Sequence, residues 1–205
     1  MSAVWRGDLR YEGLLEAAAA PSRVTSLTHG FYRYPARFGE RFVREAIVSF
    51  SRRGDMVLDP FCGGGTTVVE ALSQGRQAAG SDLSQLALFI AEAKTTPLSK
   101  NQLDCVGEWL GAITTDIAPL LGPSREAKEN LAGTPGLLRN LIVNLCALIA
   151  TLPRGATQRF ARTLLLRTAQ WALDGKEEVP TPTNFVQRLH LSYEVMRKGM
   201  NRPVF

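Results

Sequence analysis

The residues best suited to chemistry lie in one run, Val57-Leu58-Asp59-Pro60-Phe61-Cys62-Gly63-Gly64-Gly65-Thr66-Thr67. Its order predicts a buried apolar strand that delivers Asp59 to its carboxyl end. Three glycines then let the backbone turn tightly, with no Cβ to hold a ligand away. The threonine pair opens a helix, whose free N–H groups and partial positive charge suit an anionic group. Asp82 follows 23 residues after Asp59. That is close to the ~20-residue offset at which an acid at the end of the next strand holds ribose hydroxyls. A nucleoside or amino-acid ligand would sit outside the carboxyl ends of these strands. The run is not a GxxxxGK[ST] phosphate loop, because no lysine follows the glycines, and it is not GxGxxG, because Thr-Thr-Val follows Gly65. The competing reading is a plain glycine-rich turn; an acid at the end of each strand weighs against it.

The elements that must position these residues are legible from periodicity and punctuation. Helices are expected over Leu9–Ala20, ended by Pro21, and over Phe38–Ser51, with Phe38, Phe42, Ile47 and Phe50 on its apolar side. Arg53-Gly54-Asp55 reads as a turn, Met56-Val57-Leu58 as a strand, and Thr66–Ser73 as a helix stopped by Gly75. Residues 78–82 read as a second strand, and Ser84 caps a helix running to about Lys94. Strand, glycine turn, helix, strand and helix open a doubly wound α/β sheet. After Pro97 the texture becomes helical over 101–121, 137–150, 158–174 and 184–198, with Pro/Gly loops between. Leu137, Leu138, Leu141, Ile142, Leu145, Leu148 and Ile149 keep helical spacing, and Trp109 and Trp171 lie among core residues.

The 205 residues carry a net charge of +5 and are 45% hydrophobic, which excludes wholesale disorder. The charge is uneven: residues 136–205 hold ten basic against four acidic side chains. A basic C-terminal third is compatible with a polyanionic partner, through Arg154, Arg159, Arg162 and Arg167, although solvent-facing helix positions explain them equally well. No apolar run approaches the roughly 18 residues needed to cross a bilayer, and no signal-peptide h-region is present, so a cytoplasmic location is expected. Cys62, Cys105 and Cys146 are too far apart for a zinc clasp, and with only His29 and His190 beside them no metal site is expected.

Asp59-Pro60-Phe61-x-Gly63-x-Gly65-Thr66 resembles the S-adenosylmethionine motif of the amino-group DNA methyltransferases, which make N4-methylcytosine or N6-methyladenine. Upstream, the run from His29 to Phe38 (HGFYRYPARF) is similar to the family's motif preceding the strand. Downstream, Gly80-Ser81-Asp82 and Lys94-Thr95-Thr96-Pro97-Leu98 resemble the segments that follow it. The resemblance covers residues 28–99; Leu164–Asp174 is a fainter echo of a helical insert. It implies a partial Rossmann-like methyltransferase sheet followed by a mainly helical region. The expected divisions are an N-terminal helix and loop (1–27), an S-adenosylmethionine-binding α/β part (28–99) and a helical region or insert (100–205). Phe61, Gly63 and Gly65 would wall the cofactor pocket, Asp59 would meet the methionine ammonium, Thr66 and Thr67 its carboxylate, and Asp82 the ribose. Tyr34 and Phe38 would lie beside the methionine end, with core packing the favoured alternative for both. Ordinary helix capping is the alternative for Thr67.

The family's catalytic element, Asp/Asn/Ser-Pro-Pro-aromatic, is not found in this sequence, which contains no Pro-Pro pair. Its polar groups would accept from the target amino group while its ring stacks on the extruded base. No catalytic residue is therefore assigned. The expected function is the cofactor-binding portion of a DNA methyltransferase in a restriction-modification setting. Double-stranded DNA is the substrate, with cytosine N4 favoured over adenine N6. A complementing catalytic chain or further C-terminal part would complete the enzyme. The alternatives are an RNA N2-guanine methyltransferase fragment, which Cys62 fits, and a non-catalytic S-adenosylmethionine-binding subunit or remnant.

Overall fold

A computed structural model describes residues 11–19, 27–35, 37–123, 133–174 and 178–200. It is mixed α/β, mostly helical, with a two-stranded parallel sheet. Two compact units divide the chain. The first comprises Met1–His29, Tyr34–Thr95 and Pro203–Phe205; the second comprises Gly30–Arg33 and Thr96–Arg202.

In the first unit, α1 (Tyr11–Ala19) and α2 (Glu40–Phe50) precede β1 (Met56–Asp59), α3 (Thr66–Ser73), β2 (Gln77–Gly80) and α4 (Gln85–Thr95). The ends expected for α1 at Leu9, Arg10, Ala20 and Pro21 lie outside the described residues, as does Ala36. The strands pair in register, Met56 with Gln77 through Asp59 with Gly80, so both end on the same side. Among the described residues one face of this sheet is covered: Val57 and Ala78 pack on Val43 and Ile47 of α2 and Ala71 of α3. Met56 (60% exposed) and Leu58 (68%) point the other way. The expectation of a buried strand is thus corrected, because alternation puts every second side chain on the open face. Phe38 and Phe50 are likewise exposed rather than part of an apolar α2 face. Phe38 precedes the helix and its ring lies 5.8 Å from that of Phe42.

The second unit packs α5 (Lys100–Thr115), α6 (Ala118–Leu121), α7 (Gly136–Ile149), α8 (Ala156–Leu173) and α9 (Pro182–Met200). Its core joins Val106 and Leu110 of α5, Leu141 and Leu145 of α7, Phe160 and Leu164 of α8, and Leu189 and Met196 of α9. Trp109 and Trp171 pack partly buried against it. The single helix expected over 101–121 is broken at Asp116, the C-cap of α5, whose carboxylate accepts the amide of Ala118 at the start of α6 (3.0 Å). Asn140 and Asn144, the polar interruptions of the apolar α7, donate to the carbonyls of Leu121 (3.0 Å) and Leu120 (2.9 Å) at the end of α6. These bonds satisfy carbonyls that a short helix leaves open. Leu137, by contrast, is exposed. Arg154 and Arg162 are exposed, while Arg159 and Arg167 are part-buried. Burial and the neighbouring charge of Arg188 push the Arg167 guanidinium below its ordinary value. No described helix is long and apolar enough to cross a membrane.

Candidate cofactor site

The glycine turn joins β1 to α3, and both strand ends meet it. The Cys62 amide donates to the Ser81 carbonyl at 2.9 Å, and the Ser81 amide to that of Asp59 at 3.0 Å. Asp82 then reaches across: one oxygen accepts the Gly63 amide at 2.9 Å and the other the Ser84 amide at 2.8 Å. These backbone bonds hold its carboxyl below the usual range. A carboxylate has about four acceptor positions, so two bonds leave it able to take more. Asp59 accepts the Phe61 amide at 3.1 Å. The two acids flank Cys62, whose buried thiol is pushed up first by desolvation and then by their charges. Cys62 is therefore held as a neutral thiol, unsuited to nucleophilic work.

Gly65 caps α3 in the left-handed region (φ 77°), with no side chain to accept from the first turn. Thr66 and Thr67 occupy the first two helical positions rather than the cap. The orphan amides of this turn thus keep the partial positive charge that an anion would meet. Gly63 also has positive φ (49°), with the Tyr34 ring packed over it. Tyr34 also packs against Gly64, which the Lys94 side chain of α4 approaches as well. Phe61, 83% exposed, and Leu83, 99% exposed, stand beside the two acids as free apolar surface. The Phe38 ring packs on Phe42. The structure therefore brings Asp59, Phe61, Gly63, Gly65, Thr66, Thr67, Asp82 and Tyr34 to one turn, and places Phe38 against α2.

Two features escaped the sequence reading. Lys94 is 1% exposed and donates to the Gly64 carbonyl at 2.6 Å. Its position on α4, seven residues after buried Ala87 and four after buried Ile90, marked it as inward-facing. The second is a buried network in which Glu70 accepts from Arg44 at 2.9 and 3.1 Å and is bonded to His29 at 2.8 Å. Burial would raise the Glu70 carboxyl, but these bonds and charges outweigh it and hold the group below its ordinary value. His29, Glu40 and Glu70 bring donor atoms within 4.8 Å of one another, a grouping that counting cysteines and histidines did not anticipate. The cation set against Glu70 is the Arg44 guanidinium, so the network reads as an internal ion pair joining α2 to α3.

Residues 2–93 match the family model described as DNA methylase, of the N6/N4 methyltransferase type. The chain is 34% identical over 80 residues to the type II methyltransferase M.MvaI of Kocuria varians, covering 38% of this chain and 18% of that protein. It is 34% identical over 70 residues to the type II methyltransferase M.MjaII of Methanocaldococcus jannaschii, covering 34% of this chain and 13% of that protein. It is 39% identical over 63 residues to the orphan methyltransferase M.BamHII of Bacillus amyloliquefaciens, covering 31% and 24%. The matches thus span a quarter or less of these relatives. No solved structure matches the chain. Over residues 2–93 the chain is similar to the N6/N4 DNA methylases.

Proposed function

We propose that this chain is the cofactor-binding portion of a DNA methyltransferase that modifies an exocyclic amino group, cytosine N4 in preference to adenine N6. Residues 28–99 form the S-adenosylmethionine site, within a partial Rossmann-like sheet, and residues 100–205 a helical region or insert; residues 1–27 precede them. The observation that carries this reading is the convergence of the two strand-end acids on one turn, with the Asp82 carboxylate bonded to Gly63 at 2.9 Å.

The residues fit a zwitterionic nucleoside. The uncapped first turn of α3 at Thr66 and Thr67 takes the carboxylate of the methionine part, and Asp59 its ammonium. Asp82 takes the ribose hydroxyls with its remaining acceptor positions. Gly63 and Gly65 keep the floor free of Cβ atoms, and exposed Phe61 supplies an apolar wall. Tyr34 closes the turn over Gly63 and Gly64. S-adenosylmethionine supplies an electrophilic sulfonium methyl group. This chain's residues bind and orient it.

The target amino group must be presented by another element, because the Pro-Pro-aromatic tetrad is not in this sequence. The free edges of a two-stranded sheet and its open face, with Met56 and Leu58 exposed, support a complementing catalytic part that adds strands beside β1 and β2 and covers that face. The experiment is methyl transfer from labelled S-adenosylmethionine to duplex DNA, with this chain and a polypeptide bearing the tetrad mixed and separate. Label in cytosine only in the mixture supports the reading. Label that instead enters transfer RNA contradicts it.

A further inference from the structure

Lys94 stands in the face of α4 that carries Ala87, Ile90 and Ala91, all buried. Its ammonium therefore enters the interior of the first unit beneath the glycine turn. Among the described residues it makes one hydrogen bond, to the Gly64 carbonyl at 2.6 Å, and meets no carboxylate. The charge that acts on it is another cation, Arg37, and together with the larger effect of burial this pushes it down to about 7. A buried amine without a counter-ion destabilises a fold, and an apolar side chain of the same length would pack there at lower cost.

What the amine does is local. Glycines flank the 64–65 peptide on both sides, so this is the plane of the turn least restrained by side-chain sterics. The Gly65 amide is fixed by the Cys62 carbonyl at 2.8 Å. Lys94 fixes the other end of the plane. Tyr34 closes the remaining space, since a Cβ on Gly64 would come within 2.8 Å of the Tyr34 Cβ and 3.3 Å of the lysine nitrogen. A carbonyl held inward leaves the approach to the α3 N-terminus to amides alone, which is the polarity an anionic ligand group requires.

We propose that Lys94 is a positioning residue of the cofactor turn, its buried amine holding the Gly64 carbonyl inward so that the turn is set for the methyl donor before it binds. This rests on the cofactor reading of the site.

The test compares the full chain with Lys94→Met and Lys94→Gln in three measurements: denaturant unfolding, calorimetric titration with S-adenosylmethionine, and amide hydrogen exchange of residues 63–67 without ligand. Lys94→Met is expected to unfold at an equal or higher denaturant concentration, to bind at least tenfold more weakly, and to exchange its turn amides faster. Lys94→Gln, which keeps an N–H donor, is expected to recover part of both the affinity and the protection. Unchanged affinity and exchange in Lys94→Met would overturn the proposal. So would losses in both variants that merely track a loss of stability. If Lys94→Met does not fold, the lysine serves core integrity and the proposal is likewise overturned, unless folded Lys94→Gln separates turn exchange from stability. Should the unaltered chain bind no S-adenosylmethionine, the cofactor reading fails by itself, and the exchange comparison still decides whether Lys94 holds the turn.

Discussion

Gly65 lies so close to Ala91 that a Cβ built on it would come within 2.8 Å of the alanine Cβ and 3.0 Å of its Cα. The contact brings α4 against the glycine turn, and it leaves no room for relaxation because the obstacle includes backbone. Gly65→Ala adds that clash to a left-handed backbone (φ 77°) that L-residues disfavour. The expected cost is roughly 2–4 kcal/mol, from conformational strain and overpacking together. Chemical denaturation of the two chains checks it.

Asp82 presents a sharper functional prediction, since it bonds the turn and faces the proposed ribose at once. Asp82→Asn keeps the shape but replaces one acceptor oxygen by a donor, which would oppose either Gly63 or Ser84. Cofactor affinity is expected to fall roughly ten- to hundredfold, in line with the loss of charge-assisted bonds. Titration calorimetry with S-adenosylmethionine measures this directly.

Acid and alkaline stability should move for different residues. The Glu70 carboxyl is held below its ordinary value, so its contribution is complete above the ordinary carboxyl range and is lost as pH falls through the lowered folded value. Glu70→Ala strands His29 and Arg44, at an expected cost of about 3 kcal/mol; this is the lower end for a buried pair, since Arg44 reaches solvent. Lys94 acts in the same sense but in a higher window. Between about 7 and its ordinary 10.5 the unfolded chain holds a proton that the folded chain has released, so stability rises with pH across that window. Denaturation midpoints from pH 6 to 10 should show the rise in the unaltered chain and not in Lys94→Met.

The open sheet face gives a prediction about association. Met56 and Leu58 are exposed on β1, one of two strands that each have a free edge among the described residues. Leu58→Lys should lower self-association of the isolated chain and leave its unfolding midpoint within about 0.5 kcal/mol, as for a surface position. Sedimentation velocity would show it. A complementing catalytic chain should lose affinity for the same variant.

Much of the first unit was legible because its signals are local. Thr66–Ser73 forms the helix expected, and the strands fall within a residue or two of 56–58 and 78–82. Gly65 marks the turn because a left-handed cap needs glycine. What was missed depends on tertiary contact. Alternation alone does not say whether a sheet is covered on both faces, so Leu58 reads as core and is exposed. Glu70 and Lys94 are charged, and their burial becomes visible only once α2 supplies Arg44 to the first and the turn supplies the Gly64 carbonyl to the second. The break at Asp116 was hidden by helix-favouring residues on both sides.

The most direct test of the central claim is calorimetric titration of the folded chain with S-adenosylmethionine, alongside Asp82→Ala. The account predicts saturable one-to-one binding that S-adenosylhomocysteine displaces and that Asp82→Ala loses. A folded chain that binds neither compound, or an Asp82→Ala variant that binds as tightly as the unaltered chain, would contradict it.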